Sequence, residues 1–153
     1  MDNVSPHISM LARSKDGGET WQIQKPTGYQ GDVGHKMNDA IPLPKKIKFT
    51  SPGFVMRVEG YGYHGNSGQQ WFYSLDKGES WNGPYPFGNL LNHPELVGKQ
   101  FTGRTAYLVN GPYDCFLFLS VRDLKSSSEI STTEKVFLAQ TVDGGLSFEF
   151  VSW

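Results

Sequence analysis

Three octets in this chain share one pattern: Ser14-Lys15-Asp16-Gly17-Gly18-Glu19-Thr20-Trp21, Ser74-Leu75-Asp76-Lys77-Gly78-Glu79-Ser80-Trp81 and Thr141-Val142-Asp143-Gly144-Gly145-Leu146-Ser147-Phe148. All fit Ser/Thr-x-Asp-x-Gly-x-Ser/Thr-aromatic, and their first residues stand at positions 14, 74 and 141, intervals of 60 and 67. A pattern recurring at near-constant spacing marks one supersecondary unit used repeatedly, with neighbouring units sharing a core. The unit is not helical. No window of about 11 residues carries apolar positions at i, i+3, i+4 and i+7 behind a capping residue. Aromatics at 14%, with 18 glycines and 9 prolines in 153 residues, instead fit many short strands joined by tight turns.

The octet has the chemistry of a hairpin turn. Its Asp carboxylate accepts hydrogen bonds from backbone amides about two residues on, its Gly supplies a positive φ, and its hydroxyls tie down the flanks. The aromatic is expected to pack inward, which sets Trp21, Trp81 and Phe148 in the core. Strand-like segments bracket each octet: His7–Arg13 and Trp21–Gln24, Gln70–Tyr73 and Ser80–Asn82, Lys135–Gln140 and Ser147–Trp153. Two further strands are predicted upstream of the second octet, Lys46–Thr50 and Gly53–Tyr61. Two more precede the third, Arg104–Asn110 and Asp114–Arg122. Four strands per period is the arithmetic of a β-propeller blade. Pro42-Leu43-Pro44, Asn82-Gly83-Pro84-Tyr85-Pro86 and the polar run Leu124–Glu134 are expected to be loops.

With this spacing the octets resemble the Asp-box, or bacterial neuraminidase repeat, and the chain resembles the sialidase-like propeller family of bacterial exo-sialidase type from Met10 to Trp153. The segment 101–109, which contains Gly103 and Arg104, and the apolar run 115–119 after Asp114 resemble the two inner strands of a blade in that family. The resemblance implies an all-β fold of four-stranded antiparallel blades. It divides the chain into a half blade at 1–25, a blade at 40–87 and a blade at 100–153, about two and a half blades of a presumed six. A closed propeller has roughly 4 to 8 blades, so the exposed apolar faces of the end blades call for self-association or for the missing blades of a parent. It also implies that the Asp-box residues Ser14, Asp16, Gly18, Trp21, Ser74, Asp76, Gly78, Trp81, Thr141, Asp143, Gly145 and Phe148 are structural.

The implied activity of the parent is glycoside hydrolysis on an acidic glycan. In this family three arginines clamp the substrate carboxylate, a glutamate-activated tyrosine attacks, and an aspartic acid serves as acid/base. Planar guanidinium groups suit a carboxylate because they bind it bidentately. The family's arginine-isoleucine-proline signature is absent, so the isolated chain is expected to be inactive, and a non-catalytic glycan-binding or protein-interaction propeller is the alternative. The candidate ligand-binding residues are Arg104, Arg57 and Tyr61. Arg104 opens a predicted innermost strand, either facing the central pocket or standing exposed at the strand end. Period-2 alternation puts Arg57, Glu59, Tyr61 and Tyr63 on one face, either as a sugar-stacking platform or as an ion pair beside core tyrosines. Asp39, in a long inter-blade connection, is the candidate acid/base.

Composition excludes several classes. A net charge of −1 supplies no field to recruit nucleic acid or an anionic membrane. The apolar run Cys115–Leu119 is far shorter than the roughly 18 residues that cross a bilayer. Residues 1–4 lack the basic and apolar regions of a signal peptide, so localisation stays open, the resemblance allowing a secreted or periplasmic parent. His7, His35, His64 and His93 stand far apart, so no metal site is expected, nor any cofactor. The lone Cys115 reads as a buried thiol.

Overall fold

The computed structural model describes residues 10–25, 27, 39–59, 69–123 and 134–153, apart from the side chains of residues 103–105. Among these residues the chain is all-β, without an α-helix; a 3₁₀ turn at Gly88–Asn92 is the one helical element. Strands β1 (Leu11–Arg13) and β2 (Gln22–Gln24) form a two-stranded sheet. Strands β3 (Val55–Glu59), β4 (Gln70–Ser74) and β5 (Asn82–Pro86) form a three-stranded one. Strands β6 (Lys99–Val109), β7 (Cys115–Asp123), β8 (Glu134–Thr141) and β9 (Glu149–Ser152) form a four-stranded one. All three are antiparallel, in chain order, and none closes on itself. Tyr61 and Tyr63, the first residues of the predicted strand before Arg13, the predicted loop at 124–133 and three of the four histidines lie outside the described residues.

Each octet joins two neighbouring antiparallel strands, β1 to β2, β4 to β5 and β8 to β9, and the three turns are built alike. The first hydroxyl donates to the carboxylate, at 2.8 Å from Ser14 to Asp16, 2.6 Å from Ser74 to Asp76 and 2.9 Å from Thr141 to Asp143. That hydroxyl oxygen also accepts the N–H of the glycine four residues on, at 2.7 Å from Gly18, 2.8 Å from Gly78 and 3.0 Å from Gly145. The carboxylate in turn accepts the N–H of Thr20, Ser80 and Ser147 at 3.0, 2.9 and 3.0 Å. The amide it captures is thus four residues on, not two: the fourth and fifth octet residues both take positive φ and curl the chain back over the carboxylate. The fourth residues are Gly17 (φ 78°), Lys77 (φ 60°) and Gly144 (φ 73°).

Those bonds hold the carboxylates of Asp16 and Asp76 well below their ordinary range, with Thr20, and then Ser74 and Ser80, the leading donors. At Asp143 burial pulls the other way but is outweighed by the bonds from Ser147 and Thr141, so this group is also lowered. A carboxylate whose folded value is depressed stabilises the fold above its unfolded value of about 4, and that contribution is lost as pH falls through the folded value. Urea midpoints measured from pH 7 to pH 2 are therefore expected to hold roughly level down to about pH 4 and to fall steeply below it. A midpoint that fell steeply between pH 7 and pH 5 would contradict this.

The core lies between the second and third sheets. Met56, Val58, Trp71 and Tyr85 on one face of β3–β5 are buried, and they meet Phe101, Leu117, Leu119, Val121, Phe137, Ala139 and Phe148 from β6–β9 and its turn. Trp71 is fully buried, with ring centres 5.2 Å from Tyr85 and 5.6 Å from Phe148. Cys115 is buried as expected, and burial pushes its thiol up to about 11.

Three expectations fail locally. Residues 46–50 form no strand, so the second sheet has three members, not four. Their amides go to the turns of the third sheet instead: Ile47 N–H donates to the Gly144 carbonyl at 2.9 Å, and Phe49 N–H to the Pro112 carbonyl at 2.7 Å. Buried Ile47 and Phe49 peg this strap down. Conversely, the proline-rich segment 82–86 is strand β5, not a loop. It is the edge of its sheet, so the N–H groups missing from Pro84 and Pro86 need no partner on the open side. Finally, only Phe148 of the three octet aromatics is buried; Trp81 is half-buried and Trp21 is 60% exposed. Trp21 and Trp81 each close their own turn, donating Nε1–H to the Gly18 and Gly78 carbonyls at 3.0 and 3.1 Å. Among the described residues the first sheet has no inner strands for Trp21 to pack upon.

Candidate functional site

The octet turns and the β6–β7 turn share one end of the sheets, because Val55 pairs with Ser74 and Val109 with Cys115. Glu59 pairs with Gln70 and Lys99 with Asp123 at the opposite end; Arg57, paired with Phe72, and Arg104 stand midway along β3 and β6.

Arg57 and Glu59 alternate with the buried Met56 and Val58 and share the other face of β3, as their spacing predicts. Arg57 Nη2 lies 2.7 Å from Glu59 Oε2, with the side chains 33% and 17% exposed. Burial is the leading influence on both groups: it pulls the Arg57 guanidinium down and pushes the Glu59 carboxyl up, each partly offset by the partner's charge. No well-aligned donor reaches Glu59 Oε2 among the described residues, so the contact is a charge pair more than a directional bond. Of the two sequence readings of this stripe, the ion pair is formed; the tyrosine that would complete a platform, Tyr61, lies outside the described residues.

Arg104 lies where β6 departs from regular pairing. Phe101 pairs with Val121 and Thr105 with Leu119, so the three residues 102–104 stand opposite Ser120 alone. The Thr102 and Ser120 hydroxyls bond across this irregularity at 2.5 Å. Bulges of this kind re-aim side chains and recur beside functional sites. The excess of residues has no local signature beyond Gly103, so only the strand pairing reveals it. Strand β3 lies beside β6, with Met56 N–H donating to the Tyr107 hydroxyl at 3.3 Å, which brings the two arginine-bearing strands into contact.

Asp39 is exposed, and Ile41 two residues later donates its N–H to the Pro84 carbonyl of β5 at 3.1 Å. Since β4 separates β5 from β3, Asp39 belongs to the edge away from Arg57.

One cluster has no trace in the sequence reading. Trp153, 46% exposed, donates its indole N–H to Glu95 at 2.7 Å and lies 5.8 and 5.3 Å from the ammonium groups of Lys99 and Lys135. Phe150 stands edge-on to Trp153 and stacks on His93 at 4.6 Å. The members come from β6, β8, β9, the residue after β9 and the connection after the 3₁₀ turn, separations that no sequence pattern links.

Among the described residues no group of His, Cys, Asp and Glu could hold a metal ion, and no helix is long and apolar enough to cross a membrane. No family model matches the chain, and no curated protein or solved structure is similar to it.

Proposed function

We propose that this chain is a segment of a sialidase-like Asp-box propeller that binds an acidic glycan beside the middle of β3 and β6, with Arg104 as the carboxylate contact. The observation that supports this most is the threefold recurrence of one Ser/Thr–Asp–Gly turn, with the same hydroxyl, carboxylate and amide bonds each time. The irregularity at 102–104 adds to it, since it puts Arg104 where β6 is free to depart from the sheet. Arg57 is a poorer contact than its sequence position suggests, because Glu59 already engages it within the sheet.

Titration of sialic acid and of galactose into the chain, followed by NMR, tests the reading. The acid is expected to bind and the neutral sugar not. Arg104→Ala is expected to weaken binding of the acid by about 10- to 100-fold, since a hydrogen bond to a charged group contributes roughly 1.5–3 kcal/mol. No hydrolysis of a fluorogenic sialoside is expected. Equal binding of both sugars, or binding of the acid unchanged by Arg104→Ala, would overturn the assignment.

A further inference from the structure

The sheets of this chain stack by one repeated operation. In each contact, the residue three places before an octet packs over the glycine at the fifth place of the next octet. Leu11, three before Ser14, sits on the second octet: a Cβ built on Gly78 would lie 3.6 Å from Leu11 Cδ2. Trp71, three before Ser74, sits on the third: a Cβ on Gly145 would lie 2.9 Å from Trp71 Cη2. The equivalent residue of the third sheet is Leu138, which is only partly buried. The equivalent glycine of the first octet is Gly18, which among the described residues has only Trp21 of its own turn within reach, at 3.8 Å.

Both surfaces are apolar and open. Register places Leu138 beside Phe118, with Ala106 next to Phe118 across β6 and Val136 two residues along β8, so one face of β6–β9 presents a continuous apolar surface. Phe118 is 44% and Val136 62% exposed. At the other end of the stack Trp21 is 60% and Ile23 70% exposed. The opposite face of β6–β9 is the buried core, so this patch is not the ordinary solvated side of a sheet but the continuation of the packing seen inside the chain.

We propose that a second copy of this chain docks head to tail, seating its first octet turn, Gly18 and Trp21, on the β6–β9 face at Leu138, Phe118 and Val136. The contact repeats the internal sheet-on-sheet register. It is heterologous, joining two different surfaces, so successive copies build a ring if the rotation closes and a filament if it does not. The near-zero net charge opposes such stacking little.

Analytical ultracentrifugation of the full chain is expected to show species above 17.1 kDa that grow with concentration. Trp21→Asp and Phe118→Asp, on the two different surfaces, are each expected to abolish association, while an equimolar mixture of the two recovers a species of twice 17.1 kDa through its one intact pair of surfaces. Ile23→Lys and Val136→Lys replace them if far-UV circular dichroism shows either variant misfolded. A wild-type chain that stays at 17.1 kDa at every concentration would overturn the proposal. So would association that survives Trp21→Asp but not Phe118→Asp, the mark of two identical faces meeting about a two-fold axis, or variants that do not recombine.

Discussion

Trp71→Ala is expected to lower the unfolding free energy by about 3–5 kcal/mol, the range for truncating a fully buried large aromatic. Its indole is the largest fully buried side chain among the described residues, and it joins two sheets: rings of β4 and β5 flank it within the second sheet, and Phe148 and Gly145 meet it from the third. Its N–H donates to the Pro86 carbonyl at 3.1 Å, so truncation also removes that acceptor's partner. Against a domain stability of roughly 5–15 kcal/mol, the loss takes away about a fifth or more of what holds the fold. Trp71→Phe keeps much of the packing and isolates the hydrogen bond, with a cost nearer 1–3 kcal/mol. Guanidinium unfolding followed by circular dichroism measures both, and a loss below about 1.5 kcal/mol for the alanine variant would mean that the sheets do not depend on this contact.

Gly144→Ala is expected to be nearly as damaging, at about 2–5 kcal/mol, from two additive causes. At φ 73° a β-carbon strains the backbone by roughly 1–2 kcal/mol. It would also stand 2.7 and 2.8 Å from the carbonyl oxygen and amide nitrogen of Ile47, and main chain cannot step aside as a flexible side chain can, which adds roughly 1–3 kcal/mol of overpacking. Gly17→Ala separates the two causes. Gly17 holds the same octet place at φ 78° with nothing within 4 Å of its built Cβ, so only the backbone strain applies. Lys77, at φ 60° in that place, shows that an L side chain is accommodated where space is open. Equal losses at Gly17 and Gly144, read from the same unfolding curves, would show that the strap at 46–49 contributes nothing to the packing.

That strap also marks how far the chain could be read without its structure. Residues 46–50 have the composition of a strand, yet their amides bond to Gly144 and Pro112, nearly a hundred and more than sixty residues away. No local property announces such partners. The same holds for β5, where prolines read as a loop and only membership of a sheet edge makes them tolerable, and for the irregularity at 102–104, which exists only relative to the partner strand β7. The Arg57–Glu59 pair was legible because strand alternation puts residues i and i+2 on one face whatever the tertiary context.

The side-chain bonds of the octet turns were written in local chemistry. The hydroxyl and carboxylate bonds that recur in all three turns span no more than four residues, so eight residues specify hydroxyl, carboxylate and paired positive φ, while further backbone bonds reach them from distant segments. Whether the aromatic that ends each octet is buried was not written there. Phe148 is in the core because Trp71 and Phe87 come to it from other elements, with ring centres at 5.6 and 5.1 Å, and Trp21 is in solvent because, among the described residues, its sheet has two strands and no inner ones. Burial is a property of what surrounds a side chain, and for these rings the surroundings come from segments that only the folded chain brings together.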